Sequence, residues 1–233
     1  MHKIPAVILF ILSFGTTISQ TAIINDPDGF SNIRDKANGQ SSITDTVANG
    51  RLVYVFKDMV EGNWLPVEYN KGKKIISGFI HSSRIIYLNS LTPFKEVKQR
   101  DSAVELQLDA IQIMLQTKKF SEKGRVIKYE KTDGQNYVKS IDNQFPWGTD
   151  NSMPRFEFKA IQVRIKDKVI PFPPNTYQDL FNPNPGMTKA WLDKKTGKVY
   201  IETLNGSDAS ACVVVWVLKS EQVVGREIFI PSL

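Results

Sequence analysis

One cysteine and two histidines bound the covalent chemistry this chain can carry. A thiol nucleophile needs a base beside it to take its proton, most often an imidazole. Cys212 stands inside the run Ala211-Cys212-Val213-Val214-Val215-Trp216-Val217-Leu218, where a thiol has a raised pKa and packs as a small hydrophobe. His81 lies far upstream, and the other histidine is His2, so a cysteine–histidine enzyme is not expected. A catalytic zinc normally has three protein ligands including a histidine, and the same scarcity argues against it. The chain carries neither a Gly-x-Ser-x-Gly elbow nor a glycine-rich phosphate cradle, so no cofactor and no metal are expected. Carboxylate chemistry remains, because two acids across one cleft hydrolyse a glycosidic bond. Asp150, Glu157, Asp179 and Asp208 are available, but they fall in turns and on strand faces where acids are ordinary. The expectation is a non-catalytic protein.

Binding chemistry is better represented. Trp64 and Tyr69 offer amphipathic rings for the wall of a peptide groove, with Trp64 equally suited to closing a β-barrel. Arg34 either holds a ligand carboxylate in a bidentate pair or bonds the loop at Asp26 and Asp28. His81 either touches ligand or belongs to a closing turn, and Phe30 is expected in the core. Asp26 and Asp28 alternate as calcium ligands do, but the rest of a calcium loop is missing and Asp-Pro-Asp-Gly is turn chemistry.

The elements that must position these residues are short strands separated by turns. Asp26-Pro27-Asp28-Gly29 precedes Phe30 to Arg34, Asn49-Gly50 precedes an apolar run, and Lys71-Gly72-Lys73-Lys74 reads as a hairpin tip. After Asn49-Gly50, Val53 and Val55 face one way while Tyr54 and Phe56 face the other; a strand apolar on both faces belongs in a barrel interior or against a partner. Short strands at this spacing indicate a small barrel or sandwich.

Four separated pieces, Asp28-Gly29-Phe30-Ser31-Asn32-Ile33-Arg34, Asn49-Gly50 before the apolar run Leu52 to Phe56, Gly62-Asn63-Trp64 and Gly78-Phe79-Ile80-His81, resemble a bacterial SH3-like (SH3b) domain over residues 22–88. The usual features of that family are an opening Asp-Gly-(Tyr/Phe)-x-Asn-x-Arg, a central Gly-x-Trp and a closing Gly-aromatic-Ile/Val-His. The resemblance implies a small barrel that recognises a short peptide, with Arg34, Trp64, Tyr69 and His81 as its ligand-binding residues. Cell-wall peptidases with such modules usually add a cysteine–histidine domain, for which this chain lacks the residues.

Residues 89–102 carry Asn89, Ser90 and Pro93 and then mixed charges, and are expected as a linker. Within 101–120, helical spacing of Val104, Leu108, Ile111 and Leu115 competes with alternation that changes phase at Asp109-Ala110; two strands are preferred. From Phe156 onward the alternation is clear, and the run at 211–218, apolar on both faces, is expected as a central strand. The fold class expected is therefore all-β, an SH3-like barrel followed over residues 103–233 by a β-sandwich of about seven to nine strands.

Length and composition agree with two globular units: 233 residues, 41% hydrophobic and 23% charged. Met1-His2-Lys3, an apolar run over residues 4–14 and the small residues near Ser19 predict a signal peptide over 1–19, cleaved near Ser19-Gln20. The apolar run is too short for a permanent membrane span, and the sole cysteine is too distant for a lipid anchor. Export to the periplasm or exterior removes nucleic acid as a partner. The formal charge of +6 reflects loop lysines that either keep a β-rich protein soluble or attract an anionic envelope surface. The functional expectation is an envelope binding protein that recognises a cell-wall peptide or a protein partner. The alternative is an inhibitor or immunity-type partner protein with the barrel as a spacer.

Overall fold

The structure, a computed structural model, describes residues 21–231 and is all-β, so the leader expected over 1–19 lies outside the described residues. Seven strands form the first sheet: β1 (Thr21–Ile24), β2 (Phe30–Arg34), β3 (Ile43–Ala48), β4 (Leu52–Val55), β5 (Trp64–Lys71), β6 (Lys74–His81) and β7 (Ile85–Tyr87). Their order is β3-β2-β6-β5-β4-β1-β7, and the sheet curls into a half-barrel around Ile24, Ile33, Val53, Val67 and Ile80. Lys71 pairs with Lys74 at the tip of the β5–β6 hairpin, where Gly72 has φ +65°. Gly78 is required where β2 meets β6. A Cβ there would lie 2.5 Å from the Arg34 carbonyl oxygen and 2.6 Å from Ile33 Cγ2.

Residues 89–102 are not a linker. Strands β8 (Thr92–Pro93) and β9 (Lys95–Arg100) enter two different sheets, and Phe94 between them is buried in the sandwich core. The charges that suggested a linker fit an edge strand: every residue of β9 is exposed, and lysine along an edge discourages further pairing. Residues 101–120 form two strands, as their alternation predicts: β10 (Ala103–Leu108) and β11 (Ile111–Lys119), joined at Asp109, whose φ is 50°.

A ribbon of β12 (Ile127–Thr132) and β13 (Gln135–Ile141) follows, then β14 (Phe156–Ile165), β15 (Lys168–Pro171), β16 (Pro183–Asp193), β17 (Lys198–Asn205), β18 (Cys212–Lys219) and β19 (Gln222–Phe229). Residues 103–233 carry ten strands, β10 to β19, against the seven to nine expected, and β8 and β9 complete the two five-stranded sheets β15-β14-β11-β10-β9 and β19-β18-β17-β16-β8. Their facing residues, Ile113, Leu115, Ile161, Val214 and Trp216 among them, form one core. Each such side chain contributes about 1.5–3 kcal/mol by leaving water. No helix among the described residues is long and apolar enough to cross a membrane.

The two-sided strands meet each other. Cys212, Val214, Trp216 and Leu218 on β18 face the sandwich core, while Val213, Val215 and Val217 join Tyr54, Ile23 and Leu52 of the half-barrel in a shared cluster. The Tyr54 and Phe229 rings lie 5.8 Å apart. Around this seam Arg51 pairs with Glu227 at 3.2 Å, and Asn70 Nδ2 donates to Glu227 Oε2 and to the Ile228 carbonyl, both at 3.0 Å.

Candidate functional site

Three of the four residues singled out in the half-barrel line one cleft of about 370 Å³: Arg34, Trp64 and His81, joined there by Phe30, Asp28 and Arg84. The opening turn builds one wall. Asp26 is buried, accepts from the Asp28 N–H at 3.0 Å and from Arg84 Nη1 at 2.9 Å, and its backbone is clasped by the Asn49 amide at 2.8 and 2.7 Å. Gly29, at φ +84°, then turns the chain into β2. Asp26 and Asp28 are thus turn residues, and Arg84, not Arg34, bonds the turn.

Along β2 the alternation decides which side chains reach the cleft. Ser31 and Ile33 are buried, so Phe30, Asn32 and Arg34 share the opposite face. Phe30 is 47% exposed, which corrects its expected place in the core. Sequence carried the signal, since Ile33 had to be inward and odd-numbered neighbours share its face. Arg34 Nη1 donates to the Ser41 carbonyl at 2.5 Å, and among the described residues the guanidinium has no carboxylate partner.

The other wall is the start of β5 against the end of β6. Trp64 pairs with His81 across the hairpin, and their rings meet edge to face at 5.4 Å and 83°. The Trp64 ring is half-buried, so it stands at the barrel rim. His81 Nδ1 accepts from the Ser83 N–H at 3.3 Å and bonds Ser83 Oγ at 2.8 Å, which leaves Nε2 to carry the proton of the neutral ring.

Tyr69 lies elsewhere. It is five residues from Trp64 on one strand, an odd separation that sends the two rings to opposite faces, and it is 3% exposed in the half-barrel core. Its hydroxyl donates to Asp45, which also accepts from Lys71 Nζ at 2.8 Å. The Lys71 ammonium, then the Tyr69 hydroxyl and the Thr46 N–H, hold the Asp45 carboxyl down to about 2. Burial, and then the neighbouring carboxylate, push the Tyr69 hydroxyl up. Because an unfolded aspartate titrates near about 3.9, the unfolded chain takes up a proton in this window that the folded protein refuses. The stability Asp45 contributes is complete above about pH 4 and is lost as pH falls toward about 2. The stability difference between the parent and Asp45→Asn, followed by urea unfolding, is expected to narrow across that window; a constant difference would contradict the assignment.

The chemistry candidates of the second unit divide. Cys212 is 1% exposed, and burial pushes its thiol up to about 12, so it is an inert core residue. Glu157 is occupied by Arg125 and by Lys118 at 3.2 Å, and Asp179 is held by Arg226 through two bonds of 2.5 and 2.9 Å. Asp150 and Asp208 line a common cleft at one end of the sandwich. Both are exposed, whereas a glycosidic general acid is kept protonated by an apolar pocket.

No protein-family model, no curated protein and no solved structure matches this chain.

Proposed function

We propose that this chain is an exported, non-catalytic binding protein of the bacterial envelope whose half-barrel is an SH3-like module. Its ligand is a short peptide, from the cell wall or from a protein partner, lying in the cleft of Phe30, Arg34, Trp64 and His81. One observation carries the reading: two aromatic rings stand in an open cleft beside a guanidinium that no carboxylate among the described residues occupies. Rings give contact area at low entropic cost, and an unpaired arginine suits a peptide carboxylate.

Purified cell wall and synthetic stem peptides supply the test, with Trp64→Ala and Arg34→Ala as cleft variants and Tyr69→Phe as a control outside it. Removing a central aromatic anchor is expected to weaken binding by about 1–3 kcal/mol, roughly 5- to 150-fold. Thermal melts of each variant separate lost contact from lost fold. A folded Trp64→Ala protein that binds like the parent removes the cleft from the reading. Retention on envelope proteins but not on wall favours the inhibitor or immunity-type alternative.

A further inference from the structure

The sandwich carries a second cleft, of about 550 Å³, bounded by the loop before β14, the start of β16, the β17–β18 turn and the β9–β10 turn. These loops consume their own polar groups. Asn182 Oδ1 accepts from the Arg155 and Phe156 N–H groups at 2.9 and 3.2 Å, and its Nδ2 donates to the Gly148 carbonyl at 2.8 Å. Thr149 Oγ1 donates to the Pro146 carbonyl at 2.8 Å, and Ser210 Oγ to the Ser207 carbonyl at 2.8 Å. Gly148 and Gly206 lock two loops together, since a Cβ on Gly206 would sit 2.9 Å from Gly148 Cα.

What the loops leave over is specific. Asp101, Asp150, Asp208 and Arg155 line the cleft, and their charged groups make no hydrogen bond or ion pair among the described residues. They are spread around the rim, for no three His, Cys, Asp or Glu side chains among the described residues gather as a metal ion requires. Phe156, 41% exposed, adds an aromatic face.

The geometry points to a neutral oligosaccharide as the ligand of this cleft. Vicinal hydroxyls donate to carboxylates and accept from a guanidinium, and the C–H face of a sugar ring packs on an aromatic ring. Three carboxylates against one guanidinium repel phosphates and acidic sugars. A peptide would find few apolar sockets, because Phe156 and Met153 are the large apolar side chains of the lining. Loops already fixed by their own hydrogen bonds lose little entropy on binding, which suits a ligand held by many weak contacts. This site is separate from the half-barrel cleft and stands whether or not that cleft binds peptide.

The test titrates the protein with two neutral probes, the β-1,4-linked tetramers of glucose and of N-acetylglucosamine, by calorimetry. The comparison variant is Asp150→Asn with Asp208→Asn, chosen because both positions have positive φ, 45° and 49°, which asparagine tolerates. Saturable binding of at least one tetramer is expected, weakened by roughly tenfold or more in the double variant with its melting temperature unchanged. Trp64→Ala is expected to leave this binding intact. Failure of both tetramers to bind, or binding that the folded double variant and Phe156→Ala leave unchanged, overturns the assignment.

Discussion

Tyr54→Ala is expected to destabilise the half-barrel and the sandwich together, by about 3–5 kcal/mol, in a single unfolding transition. Tyr54 is 7% exposed and lies in a cluster to which the half-barrel contributes Ile23, Leu52 and Leu88 and the sandwich contributes Trp191, Tyr200, Val215 and Phe229. Its ring also meets Phe56 edge to face at 5.3 Å, so truncation opens a cavity with packed walls on both sides. Such a cavity costs lost transfer energy and lost dispersion contacts, because neither sheet can collapse into it. Tyr54→Phe keeps the volume and is the control. Calorimetry reads the outcome: two resolved transitions in the parent, or a Tyr54→Ala protein that loses only its half-barrel, would show that the seam does not couple the units.

A second large loss is expected from Arg226→Leu, about 3–5 kcal/mol, because it leaves a buried carboxylate without its cation. The Asp179 side chain is 9% exposed, and Arg226 meets both its oxygens while also donating to the Thr176 carbonyl at 3.2 Å. Trp216 Nε1 donates to the same carbonyl at 2.8 Å, so one arginine and one indole pin the loop that closes the sandwich between β15 and β16. Removing the acid as well, in Arg226→Leu with Asp179→Leu, is expected to recover much of the loss, since a paired buried charge is seldom better than an apolar pair of similar volume. Denaturant unfolding of the four proteins measures the coupling. If Arg226→Leu stays within about 1 kcal/mol of the parent, the pair is solvated and the loop is held by other contacts.

How much was legible follows from which signals are local. The turn residues at Asp28-Gly29, Asn49-Gly50 and Lys71-Gly72 mark the half-barrel, and the phase change at Asp109-Ala110 marks the β10–β11 hairpin, because backbone sterics and side-chain alternation act within a few residues. Strand β9 leaves no local signal for the opposite reason: with every side chain exposed it has no buried face to impose alternation, and it is held through backbone pairing to β10. Residue type alone puts Phe30 in the core and Tyr69 at the groove; their parity along β2 and β5 places them the other way round, one at the cleft and one in the core. Arg84 gave no signal at all, since its partner Asp26 is 58 residues away.

Local pattern is enough for the all-β class, the strand rhythm, the inert setting of Cys212 and the need of two strands, at 52–55 and 212–219, for cover on both faces. Contacts between distant residues settle that those two second faces cover each other, that Arg34, Trp64 and His81 share a cleft without Tyr69, and that Asp150 and Asp208 line one cleft while Glu157 and Asp179 are spent on arginines. The reason is physical: periodicity reports that a side chain must leave water, but burial is non-directional, and any apolar face of the right shape satisfies it. Which face does so, and which charge meets which, is fixed by sheet curvature and by contacts between residues distant in the chain.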